Sequence, residues 1–347
     1  MSGLYVAALP YFARHETFHP RYGWFGKGVA AAKRNPAVFS SDEATVDLGV
    51  GKNMVLAIRF WCRAAKLLDD VPNPDQPRTS HASVTVLGRT LFDSEVGLDP
   101  YIELPGSLWL LHWWMLSPRC LLPAWWIAFN QFTALEFSDD ELTSSVCGIV
   151  DEVEGWTNPA RSSVGKDVDC LIRMYSPRRA APSALEDSLD CPFRDLGLMA
   201  PVWNENKKFR FLLGPKATLP PAVLAYACIE FIRQQKDGAR TATLSRLTSV
   251  PGSPGRAFKL TEDALTASLA QYEAIGTGIQ LVSSAGVTQL ALRGSPDELA
   301  SAALTSYYSE YRTQIQHPLL TDVRPAQSAG SHLSDRDGAN GLIGVYS

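Results

Sequence analysis

A lysine and two carboxylates are the first chemistry the chain offers. Lys166, Asp167 and Asp169 fall within four positions, and Glu186, Asp187 and Asp190 follow before Cys191-Pro192-Phe193. Mg2+ takes oxygen ligands and works with substrate phosphates. Asp167 and Asp169 are therefore candidate metal ligands of a nuclease site, with Glu186 in support. Lys166 would orient the phosphate or the attacking water. Spacing limits this reading. Two positions apart, the carboxylates share a face on a strand but not on a helix. The alternative is structural, with Asp167 and Glu186 in salt bridges to Lys166, Arg173, Arg178 or Arg179.

The run from Arg14 to Trp24 is also dense in functional types. His15 and Glu16 are a second acid and base candidate, since histidine titrates near neutrality. The alternative is a cap in which His15 and Arg21 bond backbone or Glu16. The zinc pattern HExxH is broken at Phe18-His19. No Walker loop, GxGxxG, GxSxG or CxxC motif occurs.

A third group has the chemistry of nucleic-acid contact. Lys52 and Asn53 open a predicted helix, where free N–H groups and the dipole suit a phosphate. Lys, Asn and Arg are also the donors that grip the DNA backbone or read base edges. The candidate DNA contacts are Arg14, Arg21, Lys27, Lys52, Asn53, Arg59, Arg63, Arg173 and Arg256. An ordinary solvated helix face is the alternative.

These residues need elements to place them. Gly23 to Asn35 reads as a helix ended near Pro36. In Gly51 to Leu68, Met54, Val55, Ile58, Trp61, Cys62, Ala65 and Leu68 recur at three and four, which predicts a long helix. A hairpin is expected over Ala82–Leu87 and Thr90–Phe92, turning at Gly88-Arg89. Five tryptophans lie between Trp109 and Trp126, on two helices broken at Ser117-Pro118-Arg119. Ser138 with Glu141 is a capping box, and Val164 to Tyr175 is a further helix. The C-terminal part reads as helices over Pro221–Gln235, Thr243–Leu247 and Thr261–Ala274, with a turn at Ser253–Arg256. A hairpin over Ile279–Ser283 and Val287–Leu292 follows.

The chain also repeats itself. Phe39 to Thr45 matches Phe137 to Thr143 at five of seven positions, and Val50-Gly51-Lys52 answers Val164-Gly165-Lys166. Self-similarity of this kind points to a duplicated unit. The expected fold is mainly α with short β-hairpins, an α+β chain. Repeated units of winged helix-turn-helix order would pack around a Trp-rich helical middle. The expected divisions are residues 1–95, 96–200, 201–317 and a polar tail, 318–347.

Composition bounds the function. The 347 residues are 46% hydrophobic and 20% charged, enough for real cores and too uncharged for a disordered chain. Single cores stop growing at roughly 250–300 residues, so more than one domain is expected. Net charge is -4, which excludes bulk polyanion binding. Locally the balance differs. Residues 14–66 carry nine Lys or Arg against four acids, whereas acid concentrates at 136–154. The six cysteines are scattered and the start lacks a basic-then-apolar leader, so reduced thiols and a cytoplasmic location are expected. No apolar run is long enough, without breaks, to span a membrane.

The run Arg14–Trp24, with Gly49-Val50-Gly51-Lys52-Asn53-Met54 through Ile58-Arg59 and Trp61, resembles a bacterial family long of unknown function. Its members lie beside sulfur-transfer enzymes related to PAPS reductases. The resemblance continues at Trp109, Lys166-Asp167-Val168-Asp169, Arg173, Tyr175, Leu189–Pro192 and Gly255–Leu260, and covers about residues 10–310. The family looks like the SspB-type component of the single-strand DNA phosphorothioation system, an anti-phage defence. This implies a DNA nickase acting on double-stranded DNA with a cysteine desulfurase, a PAPS-reductase-like enzyme and an ATPase. A homodimer is a further expectation. The resemblance carries over no catalytic residue. Two other classes stand beside it: a non-catalytic winged-helix scaffold, and an adaptor that docks a partner through exposed tryptophans.

Overall fold

The computed structural model describes residues 3–73, 80–177, 191–203, 205, 207–235 and 238–315. A short helix α1 (Gly3–Ala7) precedes α2 (Trp24–Arg34), which buries Trp24, Phe25, Val29, Ala31 and Ala32. Helix α3 (Ala44–Leu48) leads to α4 (Lys52–Ala64). Helices α2 and α4 touch closely. A Cβ at Gly28 would stand 2.5 Å from Cys62 Sγ and 3.0 Å from Ile58 Cγ2, so this crossing requires glycine.

The predicted helix is shorter than its apolar pattern. Lys66 takes left-handed backbone (φ 59), and Leu68 opens strand β1 (Leu68–Pro72). Strand β1 pairs antiparallel with β2 (Ser80–Val84), Leu68 opposite Val84. The hairpin expected over 82–87 and 90–92 does not form. Ala82 to Val84 belong to β2, and Val86–Phe92 form α5, whose N-cap Thr85 accepts from Gly88 N at 3.0 Å. Gly88 is no turn residue: a Cβ there would meet Leu67 O at 2.4 Å, so it serves close packing.

The tryptophan helices are α6 (Pro105–Leu116) and α7 (Pro123–Asn130). Trp109, Trp113, Trp114, Trp125 and Trp126 are all buried, which removes the tryptophan docking surface. Asp99 caps α6 by accepting from Glu103 N (2.9 Å), Leu104 N (3.0 Å) and Ser107 Oγ (2.5 Å). Half-buried Lys66 closes the other end by donating to Trp114 O (2.7 Å) and Ser117 O (2.8 Å). Strand β3 (Glu136–Ser138) runs into α8 (Asp139–Asp151) through the predicted Ser138–Glu141 capping box. Helix α9 (Arg161–Tyr175) starts a turn earlier than its first buried residue, Val164. Strands β4 (Met199–Pro201) and β5 (Lys208–Phe211) complete a sheet of order β3-β5-β4.

Helix α10 (Pro221–Arg233), strand β6 (Thr241–Thr243) and α11 (Leu244–Ser249) come next. The turn expected at Ser253–Arg256 is instead α12 (Pro254–Phe258), N-capped by Ser253. Helix α13 (Glu262–Glu273) has the expected Thr261 cap. Strands β7 (Ile279–Ser284) and β8 (Val287–Leu292) pair as predicted, in a sheet of order β6-β8-β7, and α14 (Pro296–Ile315) follows.

Two sheets thus share one topology, first strand, third strand, second strand, each with its helices between the first and second strands. The first segment keeps a trace of it. Ala82 N of β2 donates to Pro36 O at 2.8 Å, on the side where a first strand would lie. The chain is a mixed α+β fold with small antiparallel sheets. Sheet β3-β5-β4 crosses residue 200, so that expected boundary cuts through a sheet. Residues Met1–Tyr308 form one compact unit by contacts, and Ser309 begins a second.

Within the first unit, His112 of α6 ties three helices. Its Nδ1 meets Tyr175 OH of α9 at 2.8 Å, and its Nε2 meets Ala257 O of α12 at 2.8 Å. All six cysteines are free thiols. No helix among the described residues is long and apolar enough to cross a membrane. The tail, 318–347, lies outside the described residues.

Candidate nucleic-acid interface

Residues 13–20 pass between α4 and α9. Ala13, Glu16 and Thr17 have left-handed backbone (φ 53, 50 and 64), which is unfavourable for residues carrying a Cβ. Side chains from both helices hold the loop there. Trp61 Nε1 of α4 donates to Phe18 O at 2.8 Å, and Arg173 Nη2 of α9 donates to Thr17 O at 2.6 Å. Ala13 N donates to Asp167 Oδ1 at 2.9 Å.

His15 is the pin of this junction. Its Nε2 lies 2.7 Å from Asp167 Oδ1, and the two residues are 1% and 2% exposed. The imidazole stacks on Trp61 at 6.1 Å and meets the edge of Trp125 at 5.8 Å. Burial pushes the Asp167 carboxyl up from its ordinary range, while the bonds from His15 and Ala13 pull it back. His15 Nδ1 and Asp167 Oδ2 have no hydrogen-bond partner. A pair this deep touches no DNA, so His15 holds the loop rather than serving acid–base chemistry at a phosphate. The bond is to Asp167, not to Glu16, which is half-buried beside it.

The two candidate metal ligands on α9 do not come together. On helix α9, Asp167 points inward to His15, while the Asp169 side chain is 64% exposed and pairs with Arg173 Nε at 2.9 Å. The two carboxylates do not converge, and exposed Lys166 joins neither. Glu186 lies outside the described residues, with Asp187, Asp190, Arg178 and Arg179. Among the described residues no three His, Cys, Asp or Glu side chains gather as metal ligands. Asp167 and Asp169 by themselves do not fit a magnesium site.

Cationic residues do gather. Arg173, Arg194 and Arg21 all act on His19, whose pKa is lowered to about 4, first by burial and then by these charges, against its bond to Pro20 O. Arg194 Nη2 donates to Arg173 O at 2.9 Å, and Arg21 lies over Trp24 at 5.9 Å. Arg14 is exposed next to His15. Beside this cluster, Tyr22 OH donates to Asp195 Oδ2 at 2.9 Å.

On α4, Lys52 and Asn53 are exposed at the N-terminus, as a contact role requires. Arg59 and Arg63 are already engaged, by Asp70 of β1 at 2.8 and 3.0 Å. Lys27 is exposed and bonds Leu48 O at 3.0 Å. Arg256 stands apart on α12, bonded to Ser249 O at 2.9 Å.

The sequence reading overlooked the β4–β5 hairpin. Trp203, in its turn, is 83% exposed, and Lys207, Lys208 and Arg210 follow it. The signal was present as an aromatic interleaved with basic residues.

The chain matches the family model described as "Protein of unknown function (DUF4007)" over residues 12–308. No match was found among curated proteins. Two solved structures are similar. The SspB crystal structure is 38% identical, with a TM-score of 0.83 over 91% of this chain and 92% of that one. Magnesium ion-bound SspB is 38% identical, with a TM-score of 0.84 over 92% of each. The chain belongs to the DUF4007 family and is a relative of SspB.

Proposed function

We propose that this chain is the SspB-like, DNA-binding component of a DNA phosphorothioation system, and that it nicks DNA. The observation that carries this reading is the likeness to SspB along nine-tenths of both chains. The fold supports the DNA part. Helix–strand–helix–helix–strand–strand with sheet order first, third, second is the order of a winged helix. Its third helix and wing meet DNA in that class. On this reading α9 and the β4–β5 hairpin would take those places in the middle segment, and α4 and β1–β2 in the first. The loop pinned by His15 joins the two third helices, so DNA would meet Lys52, Asn53, Arg14, Lys166 and the arginine cluster on one linked framework.

Nicking would draw on Mg2+, in line with the magnesium ion bound by the solved relative. The described side chains hold no such site, so no step is routed through one. The cysteine desulfurase, the PAPS-reductase-like enzyme and the ATPase would be partners, and a homodimer the working form. The second reading is a scaffold that binds DNA without cutting it. It is favoured by the use of Asp167 and Asp169 to hold His15 and Arg173. Supercoiled plasmid incubated with the purified chain separates the two. Relaxation in Mg2+ that stops with a chelator is expected for the nickase. Binding without relaxation would leave the scaffold.

A further inference from the structure

An open cleft of about 450 Å³ lies between α9 and the β4–β5 hairpin. Its floor is apolar, made by Ile172, Pro201 and Phe209. Arg173, Lys207 and Lys208 stand on its rim. The two acids that line it are each paired with a rim cation, Asp169 with Arg173 and Glu205 with Lys208. Lys207 is exposed, so a cation remains at the rim.

We infer that this cleft receives one unpaired nucleobase of bound DNA. The inference rests on the reading of the chain as a DNA-binding protein. A base offers a flat apolar face to the Phe209 ring, as bases do to aromatic side chains in single-strand sites. Its phosphate meets Lys207 at the rim. The volume suits a nucleotide-sized ligand and is too small for a duplex. A base therefore reaches the floor only when it is unstacked, at a bulge, in a single strand or flipped from the helix.

The full-length chain is titrated with a labelled duplex and with the same duplex carrying one bulged 2-aminopurine. The bulged probe should bind about tenfold tighter, the order of one base stacked on an aromatic ring. Its 2-aminopurine fluorescence should change on binding. Phe209→Leu and Lys207→Ala should each reduce the preference, and melting temperatures identify a variant that fails to fold. Lys207→Ala, at an exposed site, carries the test if Phe209→Leu does. Equal affinity for the two probes overturns the cleft and leaves DNA binding standing. Binding of neither probe overturns both.

Discussion

The Asp167 carboxylate is the buried acceptor that fixes residues 13–20, taking bonds from Ala13 N and His15 through one oxygen. Asp167→Ala leaves the imidazole with no partner in an aromatic box. Removing one member of a buried pair of this kind costs about 3–5 kcal/mol. Urea unfolding of the variant should show a loss of that order, and a loss below about 1 kcal/mol would mean the pair does not hold the loop. His112 gives a pH dependence. Both its nitrogens are bonded in the interior, and burial lowers its pKa from 6.5 to about 4. The unfolded chain therefore takes the proton first. Stability is unaffected by this group above about pH 6.5 and is lost as pH falls from there toward 4. His19, also lowered to about 4, acts in the same direction. The urea midpoint should drop between pH 6.5 and 4.5, and His112→Asn should flatten that slope. At this scale the sequence shows residue types but not partners. His15 and Asp167 stood out as reactive types, yet they lie 152 positions apart, and only the fold reveals that each neutralises the demands of the other.

Helices α4 and α9 and the β4–β5 hairpin are the elements that present basic side chains. Helix α4 and helix α9 were legible because apolar residues at three and four mark their buried faces, and Ser138 with Glu141 announced α8 through a local bond. Helix α5, over Val86–Phe92, was not legible. Gly88 has the composition of a turn, and its close approach to Leu67 O is a tertiary fact. The β4–β5 hairpin was missed because its strands have three and four residues, too few for alternation to register. Trp203 makes that element testable. Trp156 is half-buried and the other seven tryptophans are buried, so collisional quenching by acrylamide should report mainly on Trp203. Added DNA should shield it, and Trp203→Phe should remove most of the quenchable emission. An unchanged quenching slope with saturating DNA would take the hairpin out of the interface.

Across the whole molecule a net charge of -4 hides an uneven distribution. The surplus of basic residues over 14–66 was legible as a count. Much of it is committed within the fold, since Arg59 and Arg63 hold Asp70, and Lys33 holds Asp93. Of that surplus Arg14, Lys27, Arg34 and Lys52 are exposed, and beyond it Lys166 and the β4–β5 hairpin add basic side chains to the surface. The expected divisions at 95 and 200 understated how the chain is joined. The Trp-rich helices, His112 and the His15 junction tie the successive segments of Met1–Tyr308 into one unit. The central claim is that the third helices of this unit bind DNA through those cations. Fluorescence anisotropy of a labelled duplex across a range of salt, for the full chain and for Lys52→Ala and Lys166→Ala, tests it most directly. The account predicts that log K falls linearly with log salt, and that each substitution weakens binding and lowers the slope by about one. Salt-dependent binding that neither substitution alters, or no binding at low salt, would contradict it.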